Sequence, residues 1–215
     1  MSISSPKSPP DAGSGRLMTA QAGPMAHDSA QGRSERRRFP GWRWLAVAPA
    51  FPISALIGRA VGGHVDAVDA ALIGGVLTGA GLGAVQWWAA NGALGRVVAW
   101  IGASAAGYAV GLAAGAAFVG YDTDLGDLAV MGLVSGAVLG AAQGLVLARE
   151  GHRDLAVPWA VAMPVLFALG WCATTAIGVD VEEQYTVFGA AGAVLFMLLS
   201  GLVLARFMPA RSQVA

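Results

Sequence analysis

The sequence predicts an all-α polytopic membrane bundle of six transmembrane helices, built as three tandem two-helix repeats. Three observations predict it. Six apolar stretches of membrane-spanning length follow one another, the connections between them alternate in charge, and helix-borne motifs recur at a fixed interval. Composition sets the frame: 56% of the 215 residues are hydrophobic and 12% charged, with a mean hydropathy of +0.61. Soluble domains carry about 25% charged residues, so this chain has too few to clothe a water-facing surface.

Residues 1–40 differ from the rest. Ser, Pro and Gly dominate, large apolar residues are scarce, and such a segment buries too little to offset its ordering entropy. It reads as a disordered cytoplasmic tail. No apolar run follows a charged start, so it is not read as a signal peptide. The tail ends in a basic stretch, Arg33, Arg36, Arg37, Arg38 and Arg43, interleaved with Trp42 and Trp44. Arg before an apolar run with Trp at the junction marks a cytoplasmic membrane interface.

Residues 41–210 form the predicted transmembrane domain, with spans near 43–62, 69–91, 96–119, 127–148, 155–178 and 185–207. About 20 residues at 1.5 Å rise cross a ~30 Å hydrocarbon core. Helices are the open-chain solution there, because backbone groups find no water to bond. Pro49, Pro52, Pro158, Pro164 and the many glycines suit membrane helices better than soluble ones.

The connections fix an expected orientation. Arg96, Arg149, Arg153, Arg206 and Arg211 fall on one side with Glu150 and Asp154. Asp66, Asp69, Asp122, Asp124, Asp127, Asp180, Glu182 and Glu183 fall on the other, where Arg59 is the one exception to the basic bias. The positive-inside rule then puts both termini in the cytoplasm of a bacterial inner membrane; the Arg-over-Lys and Ala/Gly bias fits a GC-rich bacterial genome.

The repeat has a period of 57 residues. Gly83-Ala84-Val85-Gln86 matches Gly140-Ala141-Ala142-Gln143, and Ser200 takes the third position. Gly144-Leu145-Val146-Leu147-Ala148-Arg149 recurs as Gly201-Leu202-Val203-Leu204-Ala205-Arg206. Trp44, Trp100 and Trp159 open the odd spans. Units that all start on one side are parallel repeats about an axis along the membrane normal, which predicts a pseudo-threefold bundle with the even helices nearer that axis.

Small residues every four positions let helix backbones approach closely. Gly75, Gly79 and Gly83 make such a face on the second span, Gly107, Gly111 and Gly115 on the third, and Gly132, Gly136 and Gly140 on the fourth. Tight packing is the preferred reading over a Gly-lined path. Gln86 lies eleven positions after Gly75, about 20° round the helix, and so sits on the Gly face. Gln143 and Ser200 stand in the same relation to Gly132 and Gly189. The three form one expected polar layer near the cytoplasmic side, either a clamp fixing helix register or a solute contact, with the clamp preferred. Arg59 is expected to snorkel to the outer interface or pair with Asp66 or Asp69.

Enzyme chemistry is not expected. His27, His64 and His152 lie in the tail and loops, no span interior carries an ionisable relay group, and the single Cys172 makes no metal cluster. No cofactor or metal is called for. The segments Leu82-Gly83-Ala84-Val85-Gln86-Trp87 and Leu139-Gly140-Ala141-Ala142-Gln143-Gly144 resemble a motif of uncharacterised bacterial polytopic membrane proteins, in which Gln is commonly followed by Trp. The resemblance covers residues 68–150 and implies a membrane protein without assigning an activity. The functional expectation is a non-enzymatic structural or accessory subunit acting through helix packing, the alternative a small-solute permease or channel component. The expected partners are the lipid bilayer and other membrane subunits or further copies in a homo-oligomer. Zero net charge argues against nucleic acid.

Overall fold

A computed structural model describes residues 41–179 and 185–208. The predicted tail, residues 1–40 with Arg33 to Arg38, lies outside these residues, as do Asp180, Glu182, Glu183 and Arg211. The described chain is all-helical: α1 (Gly41–Ala46), α2 (Ala50–Gly62), α3 (Val68–Ala89), α4 (Val97–Phe118), α5 (Leu125–Arg149), α6 (Arg153–Ala176) and α7 (Ala190–Phe207). With α1 and α2 taken as one broken span, six helices are long and apolar enough to cross a membrane.

Two spans differ from the uniform rods expected. The first breaks at Val47–Pro49, and α2 restarts with Pro52 in its first turn. A proline there loses no helical hydrogen bond, because first-turn N–H groups have no intrahelical partner. The last span starts late. Residues 185–189 are not helical, with Thr186, Val187 and Phe188 buried, and α7 begins at Ala190. Within α6, Pro158 and Pro164 are absorbed without a break. Pro164 releases the Ala160 carbonyl from its usual i→i−4 bond, and that oxygen lies against Gly140 of α5.

From α2 to α7 each helix packs on the next, and α7 closes the ring against α1 and α2. Among the described residues the backbones of α3, α5 and α7 pack on α1, α2, α4 and α6 and not on one another. The glycine faces explain the close spacing. An added Cβ at Gly75 would lie 2.6 Å from the Ala109 Cα, and at Gly83 2.7 Å from the Ser104 Cβ, both on α4. At Gly132 and Gly136 it would meet α6 backbone, at Ala168 and Met163; at Gly140 it would lie 2.7 Å from the Met163 side chain. Gly107, Gly111 and Gly115 of α4 face Leu139, Ser135 and Met131 of α5, and Gly79 faces Ser104 and Tyr108. These faces turn sideways to the next helix around the ring rather than towards a central axis.

The interior is filled by aromatic rings. Trp44, Phe51, Trp100, Tyr108, Trp159 and Phe167 come from α1, α2, α4 and α6, joined by Phe188 and by Phe196 of α7. Phe51, Phe167, Phe188 and Phe196 lie 5.1 to 5.8 Å apart where their contacts are resolved as ring pairs. Such pairs contribute about 0.5–1.5 kcal/mol each beyond the area they bury.

Candidate functional site

Antiparallel helices place the start of one beside the end of the next. The N-terminal indoles of α1, α4 and α6 therefore lie level with Gln86, Gln143 and Ser200, which are near the C-terminal ends of α3, α5 and α7. The result is one buried layer: Gln86, Gln143, Ser200, Ser104 and the three tryptophans are all at most 2% exposed.

Gln143 is the hub. Its Nε2 donates to Ser104 Oγ at 2.8 Å and to Gln86 Oε1 at 3.3 Å. Its Oε1 accepts from Trp159 Nε1 at 2.9 Å. One side chain thus ties α3, α4, α5 and α6 together. Ser104 Oγ in turn donates to the Trp100 carbonyl at 2.8 Å. Ser200 does not bond to either glutamine. It accepts from Trp44 Nε1 at 3.0 Å, and Trp44 meets the rest of the layer through ring contact with Trp159, centroids 6.3 Å apart. Trp100 meets Trp159 as a tilted ring pair, centroids 6.1 Å apart, and its Nε1 is buried with no hydrogen-bond partner. The layer is electrically neutral, and in lipid its bonds replace none to water.

A second polar group lies towards the opposite end, where the non-helical segment 185–189 enters the bundle. Thr78 Oγ1 bonds to the Ser54 carbonyl at 3.2 Å and to Thr186 Oγ1 at 2.7 Å. The Tyr108 hydroxyl donates to the Thr186 carbonyl, and Gly189 N donates to Thr174 Oγ1 at 3.1 Å. Irregular backbone at membrane depth is tolerated only where it is buried in protein or lines a cavity. These bonds hold the segment in, and Phe188 fills the space beside Gly170, where a Cβ would sit 2.6 Å from its ring.

Charge separates to the two ends. Arg43, Arg96, Arg149, Arg153 and Arg206 belong to the end where α1 starts and α7 finishes. There Arg96 pairs with Glu150 at 2.9 Å, and Arg43 lies 4.3 Å over the Trp88 ring. At the other end the carboxylates of Asp122, Asp124 and Asp127 come within 4.8 Å of one another. Asp122 Oδ1 accepts from the backbone of Thr123 and Asp124, an Asx turn leading into α5. Arg59 approaches His64 Nε2 at 3.3 Å and the Tyr185 ring at 5.1 Å.

Sequence reasoning singled out both glutamines and Ser200 but not their tryptophan partners, although it noted the tryptophan spacing. Combining that spacing with antiparallel packing is the signal that places indoles and glutamines at one depth. Comparison with protein-family models, curated proteins and solved structures returns no match.

Proposed function

We propose that the chain is a non-enzymatic protein of the bacterial inner membrane, a structural or accessory subunit that acts through helix packing. Gln86, Gln143 and Ser200 serve as its internal clamp. The observation that carries this reading is Gln143 bonding to three partners on three other helices. Its polar atoms are committed within the chain, whereas a solute contact needs polar atoms turned to an accessible path. Interhelical side-chain bonds in membranes contribute about 0.6 kcal/mol on average, up to about 1.7, so a hub sums several such terms at one point.

The proposal includes three tandem hairpins with both termini cytoplasmic. Burial in the 57-residue register supports the repeat: Thr78, Ser135 and Gly192 are buried, as are Leu82, Leu139 and Phe196, and Gln86, Gln143 and Ser200. The indole bonds support it too, since Trp159 to Gln143 and Trp44 to Ser200 each join an odd span to the even span before it around the ring. The basic end supports the orientation through the positive-inside rule.

The test is the double variant Gln86→Leu/Gln143→Leu, reconstituted in liposomes and in the native membrane. A clamp gives lowered unfolding stability and no specific change in solute flux. Loss of uptake of a small neutral solute by a protein as stable as the wild type would replace this reading with the permease.

A further inference from the structure

Five arginines among the described residues lie at the end of the bundle where α1 starts and α7 finishes, and the structure divides them into two groups. Arg43 and Arg96 are held by the protein. Arg43 donates to the Trp88 carbonyl at 3.1 Å and covers the Trp88 ring, and Arg96 pairs with Glu150 at 2.9 Å. Arg149, Arg153 and Arg206 are exposed. Among the described residues none of these three has a carboxylate within ion-pair distance; Arg206 lies over the ring of its own neighbour Phe207, at 5.3 Å.

Each of the three ends an outward-facing helix stripe. On α5, exposed positions recur every four residues through Ala137, Ala141 and Leu145 to Arg149. On α6 the stripe starts at Arg153 and runs through Val157, Val161 and Val165. On α7 it runs through Val194, Leu198 and Leu202 to Arg206. Residues four apart share a helix face, so each guanidinium stands at the end of an apolar face that points out of the bundle. The helices α5, α6 and α7 follow one another around the ring, and their antiparallel order brings the three arginines to the same end. On α3 and α4 the outward faces end there in Trp88 and Val98 instead. Helix dipoles do not account for the arc. A cation is favoured at a helix C-terminus and disfavoured at an N-terminus, which fits Arg149 and Arg206 but not Arg153, the first residue of α6. Asp154 is the one carboxylate beside the arc, since Glu150 is taken by Arg96.

We infer that this arc holds the headgroups of anionic phospholipids whose chains lie along the outward faces of α5, α6 and α7. Each stripe, apolar along the helix and cationic at its end, has the order of such a lipid read from chain to head. The chemistry suits phosphate because a guanidinium presents five N–H donors in a planar fork that matches phosphate oxygens. A free phosphate ion would meet the cations without using the apolar faces behind them, so the arc is a lipid surface. It asks only that the six helices lie in a bilayer, and therefore stands or falls separately from the clamp.

The test titrates dioleoyl phosphatidylglycerol or dioleoyl phosphatidylcholine, equal in chains and unequal in charge, into delipidated full-length protein in maltoside micelles. Retained lipid is counted by native mass spectrometry. A basic residue at a membrane surface is worth about fivefold in binding to an anionic lipid, so wild type is expected to retain phosphatidylglycerol about fivefold better. The triple variant Arg149→Gln/Arg153→Gln/Arg206→Gln is expected to lose most of that preference while keeping its helix content by circular dichroism. Arg149→Lys/Arg153→Lys/Arg206→Lys is expected to keep most of it. Arg36→Gln/Arg37→Gln/Arg38→Gln removes the same charge from outside the arc and is expected to keep the preference. Wild-type preference in the arc Gln variant, or an equal loss in the Arg36, Arg37 and Arg38 variant, overturns the arc.

Discussion

Replacing Gln143 by Leu and Gln86 by Leu separately is the sharpest check on the layer, because the two glutamines match in sequence and differ in structure. Gln143→Leu removes three hydrogen bonds, at 2.8, 2.9 and 3.3 Å. At about 0.6 kcal/mol each in a membrane they sum to roughly 2 kcal/mol. The change also strands the Trp159 N–H and the Gln86 carbonyl in a layer at most 2% exposed. Each of these two buried polar groups left without a partner adds about 1–3 kcal/mol, so the expected loss is about 4 kcal/mol or more in total. Gln86→Leu removes a single bond, the 3.3 Å one, and leaves Gln143 Nε2 still donating to Ser104. Its expected cost is under about 1 kcal/mol. The assay is equilibrium unfolding in mixed micelles, titrated with dodecyl sulfate and followed by far-ultraviolet circular dichroism. Equal losses in the two variants, or a larger loss for Gln86→Leu, would refute the hub assignment.

Three further outcomes are expected. Trp159→Phe strands Gln143 Oε1, whereas Trp100→Phe removes an N–H that has no partner; both shrink the ring equally, so in the same unfolding assay Trp159→Phe is the more destabilising by about 1–2 kcal/mol. Gly136→Ala puts a methyl 2.5 Å from the Met163 carbonyl and 2.8 Å from the Pro164 Cα, both backbone, and is expected to cost about 1–3 kcal/mol by overpacking; Gly102→Ala meets nothing within 4 Å and is expected to be neutral or slightly stabilising. In a Cys172→Ser background, Asp124→Cys is expected to react with a membrane-impermeant thiol reagent added to intact cells, and protection of that cysteine would reverse the proposed orientation.

Much of the fold was readable because membrane helices announce themselves by length and hydropathy. The glycine spacing carried further, since a residue with no side chain has one obvious use in lipid. What the sequence hid depends on neighbours. The start of α7 is the clearest case. Tyr185-Thr186-Val187-Phe188 is apolar enough to be counted into a span, yet Thr186 and Phe188 are taken up by Thr78, Tyr108 and the aromatic core instead of continuing a helix. Local pattern cannot show that a bond 108 residues away outweighs a helical turn. Periodicity picks out the glycine faces but does not say which neighbour a face meets: those of α3 and α5 turn to α4 and α6.

The third position of the layer shows why Ser can stand where the other two positions in the 57-residue spacing have Gln. Gln143 must accept from one indole and donate to two other groups, which needs both ends of an amide. Ser200 accepts from Trp44 and donates within its own helix to the Met197 carbonyl at 3.5 Å, and a hydroxyl suffices; its short side chain, with Gly201 beside it where a Cβ would sit 3.1 Å from Trp44 Cδ1, leaves room for the indole to come close. Gln86 is the position under conflict. Its Oε1 serves Gln143, and the corresponding indole, Trp100, is left with an unbonded N–H. Three identical positions would bond three indoles to three acceptors. The layer instead gives up one indole bond for a direct tie between α3 and α5, whose backbones do not meet. That exchange favours a clamp, because it sacrifices local satisfaction to join two helices that nothing else in the layer brings into contact.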